Sequence, residues 1–490
     1  MSERTVVWRG WPHAPAPLGA IAAARRQGAV MVVDDDGQAV PFPFTTQLRE
    51  GVRTLWHALL RLDLAVFAAL CTRRRSPPLA RAKPGTGPVV VVLPVLPDLS
   101  HTFVYRELLA MLEQRPDWQV VALHHNGAAP RHREAERLLE RVTFLPRDGV
   151  TRWWWRAFRW LLQKRGAELV SMYRAQPDAA SRELFDKQAL RDPRHPGNAF
   201  ALADLLRGLS PRHVHVYAST WPANVAMGAA HLLGVPFSIS SYVDFEFPYS
   251  HKLLAEKVAR ATFFRVVTKF CQQRLRALHP ELPSERAPVV YLGLDLDNWQ
   301  QRAEPRGEGV LVSAARIVRK KGLHLMPPAL AMLRERGVTF RWRVIGDGDE
   351  LPRIRELCER HGVLDAVEFL GARDNTAVRD ALLHADAAVP PCIVAEDGER
   401  DGIPIFFIEA MALGVPVVTT PISGIPELIR DGDTGYLCET DDVDSLADTL
   451  TVALKAHDEA RAVGARGRDE VHRTLDVRES ARQLIGCIER

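Results

Sequence analysis

Apolar residues run almost unbroken through "VVVVLPVL" (89–96). That is the pattern of a strand buried on both faces of a parallel sheet. A helical stretch, "TFVYRELLAMLEQR", follows, and then the strand "QVVALHH" (119–125). Further strands are expected at "HVHVYAS" (213–219), "PFSISS" (236–241), "FFRVVTK" (263–269) and "PVVYLGL" (288–294). After the polar stretch "NWQQRAEPRGEG" (298–309) the alternation restarts. Its strands are "VLVSAAR" (310–316), "FRWRVIGDG" (340–348), "AVEFLGA" (366–372), "DAAVPPC" (386–392), "PVVTTP" (416–421) and "TGYLC" (434–438). Strands that alternate with helices imply doubly wound sheets. The fold class is therefore α/β, two Rossmann-like domains facing a cleft, with ligands at the carboxyl ends of the strands.

The pattern sets the domain reading. Residues 1–87 are an N-terminal extension and linker, with a strand pair around the turn "DDDGQ" (34–38) and a helix-like stretch over about 46–72. The Pro/Gly/basic segment 72–88 closes it. The first domain spans 88–300 and contains a largely helical insertion at about 127–200. The second spans 301–475, and a last helix occupies 476–490. Within the insertion, "VTRWWWRAFRWLLQKRG" (150–166) interleaves Trp153, Trp154, Trp155, Phe158 and Trp160 with Arg152, Arg156 and Arg159. Two readings stay open: a core-facing Trp/Leu stripe with a solvated basic face, or an amphipathic helix lying in a membrane interface.

Composition adds little to this and excludes more. A chain of 490 residues, 47% hydrophobic and 25% charged, is an ordinary globular protein of two or three domains. A net charge of +4 does not suggest a nucleic-acid binder and suits anionic small molecules or an anionic membrane face. The six cysteines lack C-x-x-C spacing, so neither a disulfide framework nor a metal site is expected, and a reducing cytoplasm fits. The N-terminus does not read as a signal peptide. The most apolar run, 54–71, is interrupted by Arg61 and Asp63. The expected location is cytoplasmic, peripheral at the inner face of the membrane.

Candidate chemistry concentrates in the second half. In "RDGIPIFFIEAMALGVPVVTTPISGIPELIRDGDTGYLC" (400–438), Gly402 and Pro404 precede an apolar helix over 404–413. Its unpaired N–H groups and positive dipole end make an anion site. Glu409 lies about 7–8 Å further along, at roughly 1.5 Å per residue, and Asp401 precedes the helix. Two carboxylates flanking a phosphate-binding helix end match a nucleotide sugar, because carboxylates accept from vicinal hydroxyls. Alternatively, Glu409 is a buried charge bonded to amides and Asp401 a helix cap. In "SAARIVRKKGLHLM" (313–326), Arg316, Lys320 and Lys321 follow a strand and can neutralise a diphosphate. "VIGDGDE" (344–350) is too short for G-x-G-x-x-G, and no P-loop motif occurs, which argues against dehydrogenases and P-loop enzymes.

These residues resemble glycosyltransferase family 4, retaining enzymes of the GT-B fold, and most closely its colanic-acid/exopolysaccharide branch. The match rests on "ARIVRKKG", "VIGDGDELPRIRELC", "VEFLGA" and above all "DGIPIFFIEAMALGVPVVTTPISGIPELIRDGDTGYLC". "PVLPDLSHTFVYRELLAML" and "VVYLGLDLDNW" fit in the first half. The resemblance covers roughly 88–490. It implies a hexosyltransferase that uses a UDP- or GDP-sugar donor and a saccharide or lipid-linked saccharide acceptor, with no cofactor or metal. Arg316 and Lys321 would hold the diphosphate. The family's two-carboxylate motif falls on Asp401 and Glu409, with seven residues between; Asp401 would accept from the donor sugar and Glu409 from the ribose. Donor-binding positions would be Gly346, Gly402, Ile403, Pro404, Ile405, Ser423, Gly424, Ile425 and Glu427.

The chain departs from the family pattern in three places. Asp401 stands where the family has Glu, Tyr242 (with Asp244 beyond) where a His is common, and His101-Thr102 where relatives have Glu-Thr. The acceptor side would then be His101, Thr102, Tyr242 and Asp244. These departures motivate the alternative of a catalytically weak nucleotide-sugar-binding partner in a polysaccharide assembly complex. A nucleotide-sugar epimerase is a third option.

Overall fold

The computed structural model describes residues 5–7, 31–33, 85–98, 101–127, 133–146, 150–174, 194, 196–242, 244, 247, 253–300 and 307–490. The chain divides into two compact units, 1–75 and 76–490. In the first unit β1 (Thr5–Val7) pairs in parallel with β2 (Met31–Val33), Thr5 opposite Met31. β2 immediately precedes the turn around which a strand pair is expected; the other strand of that pair falls outside the described residues. The partner of β2 comes from upstream and runs the same way, which the long connection between them permits. The turn itself, the helix-like stretch over 46–72 and the linker up to residue 84 lie outside the described residues.

Two sheets organise the second unit. The N-lobe sheet contains β3 (Val89–Leu96), β4 (Gln119–His125), β5 (Val142–Phe144), β6 (His213–Tyr217), β7 (Phe237–Ser241) and β8 (Phe264–Val266). All pairs are parallel and the order is β5-β4-β3-β6-β7-β8. The order reverses between β3 and β6, so a crevice opens there at the carboxyl ends. Every residue of β6 and β7 is buried, including His213 and His215 of β6, which share hydrogen bonds with Ser238 and Ser240 of β7.

The 127–200 segment supplies the edge strand β5 as well as helices, a strand too short to show in the pattern. The strand expected over 288–294 does not form. This stretch makes an isolated bridge from Val289 to β8, then leaves the sheet edge and exchanges backbone bonds around Leu294 with Leu475 and Val477. It is the crossing between lobes.

The C-lobe repeats the plan with β9 (Val310–Ala314), β10 (Arg341–Ile345), β11 (Val367–Gly371) and β12 (Ala387–Ala388), ordered β11-β10-β9-β12. The parallel pair β13 (Val418–Thr419) and β14 (Tyr436–Leu437) continues it through a bridge from Val417 to Ala388. The helix Val477–Ile488 crosses back onto the N-lobe. Its Ala481, Leu484, Ile485 and Ile488 share one core with Leu108, Met111 and Leu112 of the helix Thr102–Gln114. Each fully buried Leu or Ile there contributes about 1.5–3 kcal/mol, so the two lobes are tied together at their backs.

The aromatic segment is two helices, Val150–Leu161 and Lys164–Arg174. Trp153 and Trp160 are buried, with their indole N–H groups donating to Gly197 O and Asp204 Oδ1. Trp155 is 69% exposed and stands with Phe158 and Leu162 on the outer face. The helix therefore has both a core stripe and a separate outward apolar patch.

Candidate functional site

The two reversal points face each other. Between them lies a cavity of about 1050 Å³ lined by both lobes, large enough for a dinucleotide-sized ligand.

The C-lobe wall begins where β9 ends. The chain turns through Arg316, exposed on the cleft, into a short 3-10 turn, Arg319–Lys321. Gly322 ends that turn at φ 68°, and a Cβ there would sit 1.8 Å from the Pro391 carbonyl oxygen. Only glycine lets the lysine turn lie against the loop that follows β12. That loop carries Asp401. Lys321 Nζ lies 2.6 Å from Asp401 Oδ2, and Lys320 Nζ lies 3.3 Å from Asp401 Oδ1 and 2.9 Å from Glu399 Oε1. Burial alone would push the Asp401 carboxyl up; Lys321 and then Lys320 outweigh it and hold it below its ordinary value. Burial would lower the Lys321 ammonium, and Asp401 reverses that to a net rise. Asp401 and Lys321 therefore stay charged at neutral pH.

Next comes the helix Ile405–Ala412. It starts one residue later than expected, because Pro404 sits at ψ 133°, extended rather than helical. Gly402, Ile403, Pro404 and Ile405 line the cavity, so the helix's first N–H groups open on it. Glu409, one turn in, also lines it. Glu409 is neither an amide-bonded charge nor a lone acceptor: Arg106 of the N-lobe donates to its Oε1 at 3.1 Å. Burial raises the Glu409 carboxyl, and Arg106 offsets this only in part. Gly346, at the end of β10, completes this wall; a Cβ there would meet Ala315 O at 1.8 Å.

The N-lobe wall is the first turn of the helix Thr102–Gln114 together with Tyr242. His101 lies 3.6 Å from Asp98, and burial lowers its imidazole, Asp98 opposing and Arg316 adding to the drop. His101 and Arg316 line the same cavity from opposite lobes. The Tyr242 ring meets Phe103 edge-on at 4.9 Å and stacks on Tyr217 at 6.0 Å.

The structure thus brings Arg316, Lys321, Asp401, Glu409, Gly346, Gly402, Ile403, Pro404 and Ile405 into one cavity with His101, Thr102 and Tyr242. It does not bring five other residues to the lining. Asp244 is buried and paired with Arg400 and with Arg274 at 3.7 Å. Ser423 sits at φ 51° with its hydroxyl buried and unbonded. Gly424 packs on Thr268, and Ile425 is wholly buried in the C-lobe core. Glu427 accepts from Lys269 N, Phe270 N and Tyr291 Oη at 2.8, 2.7 and 2.7 Å. This stretch braces the lobes beside the cleft.

Residues missing from the sequence reading also line the cavity, among them Tyr291, Asp347, Arg373 and Asn375. Arg106, the partner of Glu409, was missed too. Its signal was present: it follows Thr102 by four positions and so shares the cleft-facing side of that helix.

Residues 297–470 match the family model described as glycosyl transferases group 1. Over 210 residues, 42% of this chain and 52% of the other, the sequence is 35% identical to the putative colanic acid biosynthesis glycosyltransferase WcaL of Salmonella typhimurium. Over 226 residues it is 29% identical to the amylovoran biosynthesis glycosyltransferase AmsK of Erwinia amylovora, 46% and 55% of the two chains. The chain spans about half the length of these curated relatives. The crystal structure of Anabaena Alr3699/HepE in complex with UDP and glucose superposes with a TM-score of 0.60 at 15% identity, covering 82% of this chain and 99% of that one.

Proposed function

We propose that this chain, a GT-B protein whose residues 297–470 form a group 1 glycosyl transferase domain, is a retaining hexosyltransferase of exopolysaccharide or cell-surface glycan synthesis. The observation that carries the reading is the shared cavity. One wall offers the Arg316 and Lys321 side chains, a helix N-terminus and the Asp401 and Glu409 carboxylates; the opposite wall, from another lobe, offers His101, Thr102 and Tyr242. The donor is a nucleoside diphosphate hexose. Arg316, Lys321 and the N–H groups at Ile403–Ile405 hold its diphosphate, Glu409 accepts from the ribose, and Asp401 with Glu399 borders the sugar. The solved neighbour bound to UDP and glucose has the same two-lobe architecture.

As the sugar–phosphate bond breaks, negative charge grows on the departing diphosphate. Arg316, Lys321 and the helix end stabilise that charge more in the transition state than before it, and this difference lowers the barrier. The acceptor enters from the N-lobe side. A departing phosphate oxygen takes the acceptor proton in a front-side displacement, which leaves the anomeric configuration unchanged.

The acceptor is a saccharide or lipid-linked saccharide presented at a membrane surface. Supporting this, Trp155, Phe158 and Leu162 form an exposed apolar patch, with Arg152, Arg159 and Lys164 exposed around it. No helix among the described residues is long and apolar enough to cross a membrane. Incubation with a panel of UDP- and GDP-hexoses and lipid-linked saccharide acceptors tests the proposal. The expected product is an acceptor extended by one hexose in the donor's anomeric configuration. Tight donor binding without transfer to any acceptor would overturn it.

A further inference from the structure

Glu409 belongs to the C-lobe, and its charged partner belongs to the other lobe. Arg106 Nη1 donates to Glu409 Oε1 at 3.1 Å, while Arg106 Nε donates to Glu134 Oε1 at 3.2 Å. Exposure is 6% for the Arg106 side chain and 8% for Glu409. The fork is rigid: Glu134 pins one edge of the guanidinium and so aims the other at Glu409. Glu409 Oε2 accepts from no described residue, and Glu409 lines the cavity. Four residues before Arg106, on the same helix, Thr102 lines the opposite wall.

We propose that Arg106 is a positioning residue for the donor, fixing Glu409 across the lobe boundary with Oε1 engaged and Oε2 left to accept the vicinal hydroxyls of the nucleoside ribose. The inference rests on the glycosyltransferase reading above. An unanchored glutamate would have to lose its side-chain freedom on binding; an anchored one has already done so, and this raises affinity. The arrangement also links the donor pocket to the helix that bears the acceptor-side residues. A donor seated on Glu409 therefore favours the lobe arrangement in which Thr102 and His101 face it.

The charged groups that face Glu409 are Arg106, from the helix Thr102–Gln114, and Glu134, from the helix Arg133–Leu139. Burial pushes the carboxyl up, Arg106 pulls it down, and Glu134 adds a smaller push up. Without Arg106, both remaining influences raise it. Ribose hydroxyls donate to the ionised carboxylate, so donor affinity falls once Glu409 is protonated. The acid-side loss of affinity therefore moves to higher pH when Arg106 is removed.

The test is calorimetric titration of the full chain with UDP and with 2′,3′-dideoxy-UDP from pH 5 to 8.5, for the wild type, Arg106→Met and Arg106→Lys. Arg106→Met is expected to weaken UDP at least tenfold at pH 7.5 and to move the acid limb up by a pH unit or more. It should also erase the preference for UDP over the dideoxy analogue. Arg106→Lys restores the position of the acid limb but not the full affinity, since an ammonium lacks the fork. A purely structural Arg106 would lower the melting temperature and weaken both ligands equally at every pH, and that result overturns the proposal. So does a folded Arg106→Met with unchanged UDP affinity. Should Arg106→Met not fold, Glu134→Gln unpins the guanidinium and is expected to weaken UDP several-fold while sparing the dideoxy analogue; indifference to UDP overturns the proposal. Wild-type protein that binds no nucleotide or nucleotide sugar sinks the transferase reading, and this inference with it. Wild-type binding that is indifferent to Arg106 sinks this inference alone.

Discussion

Lys321 Nζ lies 2.6 Å from Asp401 Oδ2, and each side chain is only 14% exposed. The carboxylate proposed to border the sugar is thus held in a buried pair with Lys321, with Lys320 on its other oxygen. Its shortness follows: with one methylene fewer than glutamate, Asp401 stays back against the two lysines. Asp401→Asn should destabilise the fold by about 3 kcal/mol, the usual cost of stripping one member from a buried pair. In a double-mutant cycle with Lys321→Met the losses should couple by 1 kcal/mol or more, about the range for residues in contact. The effect has a pH signature. Asp401 has a depressed folded-state pKa, so its stabilisation is complete above the unfolded value of about 3.9. It disappears as pH falls through the lower folded value. Urea denaturation should show the full wild-type-to-mutant gap at pH 6 and a shrinking gap below about pH 4. A gap that is constant down to pH 3 would reject the pairing.

Arg316 supplies the contrast. It stands exposed on the cleft and forms no ion pair among the described residues. Arg316→Ala should leave the urea midpoint within about 0.5 kcal/mol of wild type. It should weaken a nucleoside diphosphate roughly 10- to 100-fold, the equivalent of about 1.5–3 kcal/mol for a charged hydrogen bond. Calorimetry with UDP against uridine separates the two outcomes, because uridine affinity should not change. Equal losses for both ligands would remove Arg316 from the diphosphate site.

The tryptophans divide by face. Trp153 and Trp160 are 1% and 2% exposed, so Trp153→Ser should cost about 3–5 kcal/mol by leaving a cavity. Changing Trp155, Phe158 and Leu162 together to Ser should leave the melting temperature nearly unchanged and abolish flotation with anionic liposomes. Flotation that survives the triple change, or that never occurs in the wild type, would discard the membrane face.

How much of this was legible in the chain depended on the kind of signal. The long parallel strands showed as unbroken apolar runs, and β3 and β4 fall where the pattern put them. Arg316, Lys321, Asp401 and Glu409 do line one cavity: the first two follow a strand end, Asp401 precedes a helix start and Glu409 sits one turn into that helix, all near positions that sequence punctuation marks. What was lost is tertiary. Segment 288–294 has a strand's composition, yet after a brief bridge to β8 its Leu294 takes backbone partners from Leu475 and Val477, far along the chain. Asp244 was read as acceptor-side because it follows a strand, and nothing local announces Arg400 as its partner. Arg106 sits in an ordinary amphipathic helix, and only the fold brings it beside Glu409, from which it is separated by 303 positions in sequence.

Glu427 shows the same limit, and its role can be separated by experiment. Its position in "SGIPELI" suggested a donor contact, but both carboxylate oxygens are already used across the lobe boundary. Oε1 accepts from Phe270 N, and Oε2 from Lys269 N and Tyr291 Oη. Thr268 Oγ1 accepts from Cys271 N, so the helix Lys269–Leu278 has its first three amides satisfied, two of them by the other lobe. Burial and Glu427 together push the Tyr291 phenol upward, so it remains a donor throughout the neutral range. Glu427→Ala therefore strands two amides and a phenol, which should cost about 1–3 kcal/mol. Because Glu427 does not line the cavity, UDP affinity should change less than threefold, against a loss of tenfold or more for Glu409→Ala. Differential scanning calorimetry with and without saturating UDP measures both quantities on one sample. An unaltered melting temperature with greatly weakened UDP would return Glu427 to the donor site.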